Sequence, residues 1–258
     1  MMEKGGEEDM NDYEITWDDK KIIPAFKQLV CEKLGGEAWD ALIKDICVPE
    51  PDTEGECGCC NMRVIIKRLE EMADTETVKG ILTRVRHGFT REQFGDFKKE
   101  LNECGNNIDS FLEHSRKQKK EEFLRHHAEG TTYWGDLITD EALDFLINTE
   151  GVLSAVRKGS ELHISRHPYD MTNYFNETDE RRRRFHFCHC LFARTSILND
   201  EGAVSRTMCY CSLGFAKAQW ENTFDVELDG EVVKSVLGGD GICSFIIYLP
   251  DDIIEKYT

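Results

Sequence analysis

The hydrophobic period changes partway along this chain, and that change limits the folds open to it. Up to about residue 127, apolar residues recur every three or four positions, as on one stripe of an amphipathic helix. Trp39, Leu42, Ile43 and Ile46 form one such stripe; Met62, Ile65, Ile66, Leu69 and Met72 form a second; Val78, Ile81, Leu82 and Val85 form a third. From about residue 151 the period shortens to two. "GVLSAVRKGSELHISRHP" reads as two strands turning at Lys158-Gly159, and "VELDGEVVKSVLGGDGICSFIIYLP" as three more, with turns at Asp229-Gly230 and at the glycines near 238. The pattern predicts an α+β protein: a helical N-terminal region followed by an antiparallel sheet packed with helices.

Residues 1–19 read as an acidic tail, 20–130 as the helical region and 131–258 as a cysteine-rich α+β domain, with the boundary near 128–136. The two prolines and two glycines of 49–58 predict a loop. Thr90 with Gln93 forms a capping box and predicts a helix burying Phe94, Phe97 and Leu101. Residues 107–127 stay helical but carry "SRKQKKEEF", read as a solvated face or a hinge. "SLGFAKAQWENTF" is the best helix of the second half. In the last strand, Cys243, Phe245, Ile247 and Leu249 share one face and Ile242, Ile246 and Tyr248 the other, which predicts a strand covered on both sides.

Charge narrows the function. A net charge of −18 leaves no general basic surface for nucleic acid. The acidic N-terminus lacks the pattern of a signal peptide, and no apolar run is long enough to span a membrane. A cytoplasmic location is therefore expected, where thiols stay reduced. Eleven cysteines in such a setting suggest metal or thiol chemistry before a disulfide framework.

Those cysteines are patterned. "FHFCHC" ends in Cys188 and Cys190, and "CYCSLGF" opens on Cys209 and Cys211. If both pairs are extended, each presents two thiols on one side. Four thiols with an imidazole suit zinc, so Cys188, Cys190, Cys209 and Cys211 are candidate ligands, with His189 and Cys243 as alternates. Small buried side chains, a redox pair, or a nucleophile are the competing readings. As an enzyme, the chain would use Cys190, Cys209 or Cys243 as nucleophile with His186 or His189 as base. Cys57, Cys59 and Cys60 form a secondary cluster just before a helix, where the dipole favours thiolate. Cys31, Cys47 and Cys104 sit on apolar stripes and read as core. Arg181–Arg184 read as a solvated turn balancing "NETDE". Arg194, Phe215 and Trp220 are candidate ligand-binding residues, Arg194 because its guanidinium suits a carboxylate.

The segments "FHFCHCLFART", "MCYCSLGFAKAQW" and "SVLGGDGICSFII" resemble a group of uncharacterised bacterial proteins with a CHC, CYCSxGF and GDxxCxF pattern. Five cysteines, Arg194, Gly214, a glycine at 238 or 239, and Asp240 fall in register. That group tends to carry a further C-G-x-x-C after its first helical segment, where this chain has "RHGFTR" with His87. The ending also resembles the 4-vinyl reductase-type small-molecule-binding domain and, more distantly, L-2-amino-thiazoline-4-carboxylic acid hydrolase. The first resemblance implies a sensor-like protein that binds a small hydrophobic ligand beside a zinc site. Separately, a homodimer is an expected form of the chain. The second implies hydrolysis of a C–N bond by a thiolate or a metal-bound water, with Arg194 on the substrate carboxylate.

Overall fold

The computed structural model describes residues 21–48, 58–200 and 202–258. The acidic tail, Cys57 and all but the last residue of the 49–58 loop lie outside them. The fold is α+β. Helices α1 (Ile22–Leu34), α2 (Gly36–Leu42), α3 (Gly58–Met72) and α4 (Thr75–Val85) build the first half. The stripes of the last two are buried as expected, with Met62, Ile65, Ile66, Leu69, Val78, Ile81, Leu82 and Val85 all nearly inaccessible. Met72 is exposed, because it lies at the very end of α3. Helix α2 is shorter than its stripe. It stops at Leu42, and Asp45 turns into the left-handed region, which takes Ile43 and Ile46 off the helix.

The Thr90–Gln93 capping box forms, but it caps only a 3-10 turn, Arg91–Gln93. Tertiary bonds hold the residues after that turn: the Asn222 side chain donates to the Phe94 carbonyl, and the Phe97 amide donates to Thr223 Oγ1. Helix α5 begins only at Lys98 (Lys98–Glu103), and the long α6 comes next (Ile108–Glu129). A two-stranded hairpin, β1 (Thr132–Tyr133) and β2 (Asp136–Leu137), then leads to α7 (Asp140–Asn148).

The main sheet has four antiparallel strands in the order β3 (Val156–Lys158), β4 (Glu161–Ser165), β6 (Ser244–Tyr248), β5 (Asp229–Lys234). Asp229-Gly230 proves to be the start of β5, not a turn. Gly230 lies where any Cβ would stand 2.5 Å from the Ile246 carbonyl, so glycine is needed for strand pairing there. The sheet has one buried face. Leu162, Phe245 and Ile247 point into the core, while Ser244, Ile246 and Tyr248 opposite them are only half-buried. The expectation of a strand covered on both sides is corrected accordingly.

Between α6 and the last strand, helices α8 (Met171–Asn176) and α9 (Glu180–Phe187) carry the chain toward the first cysteine pair. Helix α10 (Tyr210–Phe224) is the structural centre, packed between α4 on one side and β5 and β6 on the other. It is covered on all sides, so even its Lys217, Glu221 and Thr223 are buried. A short α11 (Asp251–Tyr257) closes the chain. One continuous hydrophobic core runs from Ile22 to Ile253, through both the helical region and the sheet. No helix of the described residues is long and apolar enough to cross a membrane.

The arginine run is not a solvated turn. Asp179 caps α9 through the Arg182 amide, and Arg181 and Arg184 donate to the carbonyls of Ile197 and Val236. Arg183 lies 4.7 Å from the Tyr174 ring. Three of the four thus tie the α9 region to other segments. Of the single cysteines read as core, Cys31 and Cys104 are half-buried, but Cys47 is exposed because it falls beyond the end of α2.

Candidate functional site

Cys188, Cys190, Cys209, Cys211 and Cys243 come together, although not through the paired extended geometry. Cys188 to Cys190 is non-helical and lies directly after α9, but Cys209 ends a 3-10 turn and Cys211 lies in the first turn of α10. The second pair is therefore wound, and its thiols diverge. Cys211 Sγ accepts the backbone N–H of His87 at 3.3 Å, while Cys209 Sγ lies 3.0 Å from Ser235 Oγ. Cys243 enters from the start of the last strand, within electrostatic reach of Cys188 and Cys209.

All five are free thiols, four of them buried and Cys243 half-buried. Burial dominates their acidity. It pushes Cys188, Cys190 and Cys209 well up, Cys211 to about 12 and Cys243 to about 11, and neighbouring sulfurs add to the rise at all but Cys211 and Cys243. Backbone amides work the other way. The N–H groups of Cys190, of Phe192 and Ala193, of His87 and of Val236 favour the thiolate at Cys188, Cys190, Cys211 and Cys243 respectively. Among the described residues, no three His, Cys, Asp or Glu side chains are arranged to hold a metal ion. The residue types suit zinc. Cys59 and Cys60 belong to α3, and their side chains lie outside the described positions.

His87 arrives from a strained turn. Arg86 and His87 both have positive φ, 47° and 54°, which is unusual for two consecutive non-glycine residues. The turn delivers the His87 amide to Cys211 and the Arg86 guanidinium to Glu221. Burial holds His87 at about 4, well below its ordinary 6.5, and also lowers His167 and His189. His189 Nε2 bonds the His167 carbonyl, and His167 Nδ1 bonds the Pro168 carbonyl, each at 2.8 Å. Each ring nitrogen so engaged carries the proton, since a carbonyl can only accept. His186 faces Asp170, 3.0 Å away.

These histidines make the fold acid-sensitive. Their folded pKa values are depressed, so below 6.5 the unfolded chain binds protons that the folded chain refuses. Stability is therefore expected to fall as pH drops from 6.5 toward 4, by about 1 kcal/mol or more for His87. Melting temperatures across that window check this. His87→Asn, which tolerates the left-handed backbone, should flatten the slope. An unchanged slope in the variant would show that His87 is not the group responsible.

Beside the cluster lies a cavity of about 290 Å³ between α6 and the sheet. Phe97, Phe111, Phe123, Tyr133 and Trp220 form its aromatic wall. Ser115, Lys119, Arg166 and His167 supply its polar groups. Phe111, Ser115, Lys119 and Phe123 are spaced by four on α6, so one face of the helix expected to be solvated lines the cavity. Gly151 lies on the rim. Its carbonyl accepts from the Ser165 amide at 2.9 Å, and a Cβ there would stand 2.8 Å from Ser165 N. Only glycine lets the rim loop lie so close to β4.

Arg166 joins the two parts. It lines the cavity, lies within electrostatic reach of Cys243, and places its guanidinium 5.3 Å from the Phe215 ring. Of the three candidate ligand-binding residues, Trp220 lines the cavity. Phe215 stands behind Arg166 in a cluster with His87, Phe89 and Phe94. Arg194 does not reach the cavity, because its guanidinium is held between the rings of Tyr169 and Phe185, at 4.5 and 4.4 Å. The sequence pattern does not single out Arg166, His167 or Lys119. "SRHP" offers two basic residues at a strand end, and the four-residue spacing on α6 is a readable signal.

Residues 158–254 match the model of a family of unknown function, DUF6144. That stretch contains all five clustered cysteines, Arg166 and His167, but not the α6 wall of the cavity. No curated protein and no solved structure matches the chain.

Proposed function

We propose that this protein binds a small molecule in the cavity between α6 and the sheet, in a sensor-like role with the thiol cluster behind it. The observation that carries this is the lining itself: a wall of five aromatic rings faced by a few convergent polar groups. Ligand sites are concave, combine apolar walls with a few placed polar groups, and have volumes that start near about 300 Å³; this cavity is at the small end and its lining is about as polar as apolar. The 4-vinyl reductase-type resemblance points the same way. Ligand-induced stabilisation tests it. A panel of small aromatic compounds should raise the melting temperature of the wild type, and Trp220→Ala should remove the response. A panel without effect, or a response kept by the variant, counts against the cavity.

Zinc belongs to this reading as its separable part. Elemental analysis of protein purified without a metal-chelating tag decides it. About one zinc per chain, lost together with thermal stability in Cys209→Ser, is the expected result if the thiols close around a metal, since metal binding is coupled to folding. No zinc, with the thiols titrating as free groups, leaves the cysteines as packed core beside the cavity.

One observation favours a second reading, a C–N bond hydrolase of the amino-thiazoline type. Cys243 is the half-buried member of the cluster and sits beside the cavity-lining Arg166. Its thiol, pushed up to about 11 by burial, would need the arginine to favour thiolate. Turnover of a cyclic amidine that disappears in a folded Cys243→Ala variant would support it; turnover unchanged in that variant would remove Cys243 as nucleophile.

A further inference from the structure

We infer that the cavity takes a small planar monoanion, a carboxylate borne on an aromatic or heteroaromatic ring, with the Arg166 guanidinium as its anchor. This rests on reading the cavity as a small-molecule site, and it adds the ligand's charge and shape.

The charge comes from a balance of groups around the cavity. Lys119 is already matched, because its ammonium lies 2.6 Å from Glu122 Oε2 and packs near the Phe123 and Tyr133 rings. His167 is neutral, with its Nδ1 proton on the Pro168 carbonyl and its pKa lowered by burial. Arg166 is left. Among the described residues no carboxylate pairs with it. The groups around it are the Cys243 thiol, the Phe215 ring and the histidines 87, 167 and 189, and none of these supplies a negative charge at neutral pH. Arg166 is half-buried, with its guanidinium against a ring and no carboxylate beside it among the described residues, and one anion entering the cavity would compensate that charge. A dianion would leave a second charge uncompensated. The flat five-donor fork of arginine matches a carboxylate's two oxygens.

The shape comes from the opposite wall. Phe97 and Phe111 each meet Trp220 edge to face and lie tilted against one another, with ring centroids 4.9 to 5.8 Å apart, so this wall offers aromatic surface to a planar ring. A volume of about 290 Å³ limits the ligand to one or two fused rings.

Calorimetric titration of the full chain with naphthoate and with naphthamide, its neutral isostere, tests this. Naphthoate should bind at least about tenfold tighter than the amide, as expected for hydrogen bonds to a charged group. Arg166→Met should bring naphthoate down to the level of the amide and leave the amide unchanged. Arg166→Lys should retain part of the preference, and serves if the methionine variant does not fold. Equal binding of the two probes by the wild type would overturn the anion assignment while leaving a small-molecule site in place. Binding of neither would overturn both. A preference that survives in folded Arg166→Met would overturn Arg166 as the anchor and show that another group holds the charge.

Discussion

Glu221→Ala lowers the stability of the protein by about 3–5 kcal/mol, the cost of leaving buried charges without their partner. Glu221 is fully inaccessible, and both of its oxygens are engaged. Oε2 accepts from Arg86 Nη2 at 2.6 Å; Oε1 accepts from the Leu228 amide and the Lys217 ammonium, each at 3.1 Å. Removing the carboxylate strands two cations in the core, between the helical region and α10. Glu221→Gln keeps an acceptor but loses the charge, so a smaller loss is expected. The triple change of Glu221, Arg86 and Lys217 to Met should cost less than Glu221→Ala alone, because no charge is then buried unmatched. Denaturant titrations of the three variants measure this. If Glu221→Ala lay within about 0.5 kcal/mol of the wild type, as surface substitutions do, the network would not be holding the two halves together.

That network is not visible in the sequence, and the reason is general. Lys217 and Glu221 are four apart on a helix, which reads as an exposed pair. Only the packing of α4, α10 and the sheet around them makes them buried. By contrast, α3 and α4 are legible because their inner residues fall on one stripe and nothing else competes for them. The Thr90 capping box is legible as a local bond, but no long helix starts there, since Asn222 and Thr223 hold the next stretch of chain extended across α10.

The candidate site is half legible. The five cysteines stand out by their spacing, and they do converge. Their local winding cannot be read from that spacing. The second pair belongs to a helix start, so residues two apart point in different directions, and the matched geometry that suggests four zinc ligands is absent. Arg166 shows the opposite failure. A single arginine at a strand end carries no pattern, and only the fold sets it between the cavity and Cys243. The cavity wall lies between these cases: its four-residue period on α6 is hidden under the charged residues that alternate with it.

Gly214→Ala is expected to be as damaging as the loss of Glu221, by about 3 kcal/mol or more, beyond the usual cost of overpacking. A Cβ at this position would stand 1.8 Å from the Thr83 carbonyl oxygen and 2.6 Å from its carbon. These are backbone atoms of α4, so no side-chain rotation relieves the clash, and α10 must move away. On its other side α10 rests on the sheet, where Leu213 packs against Gly230. Cys209, Cys211, Phe215 and Trp220 all depend on the position of this helix, so the variant should lose cavity binding together with stability. Gly80→Ala is the control. It is also a helical glycine, on α4, but nothing lies within 4 Å of its added Cβ. There the change should stabilise by about 0.5–1 kcal/mol, the ordinary gain of alanine over glycine inside a helix. Opposite signs at the two positions would place the α4–α10 contact, and with it the alignment of the thiol cluster and the cavity, on a single missing methyl group. Equal behaviour at both would mean that α10 can shift without cost, and that the site does not depend on that contact.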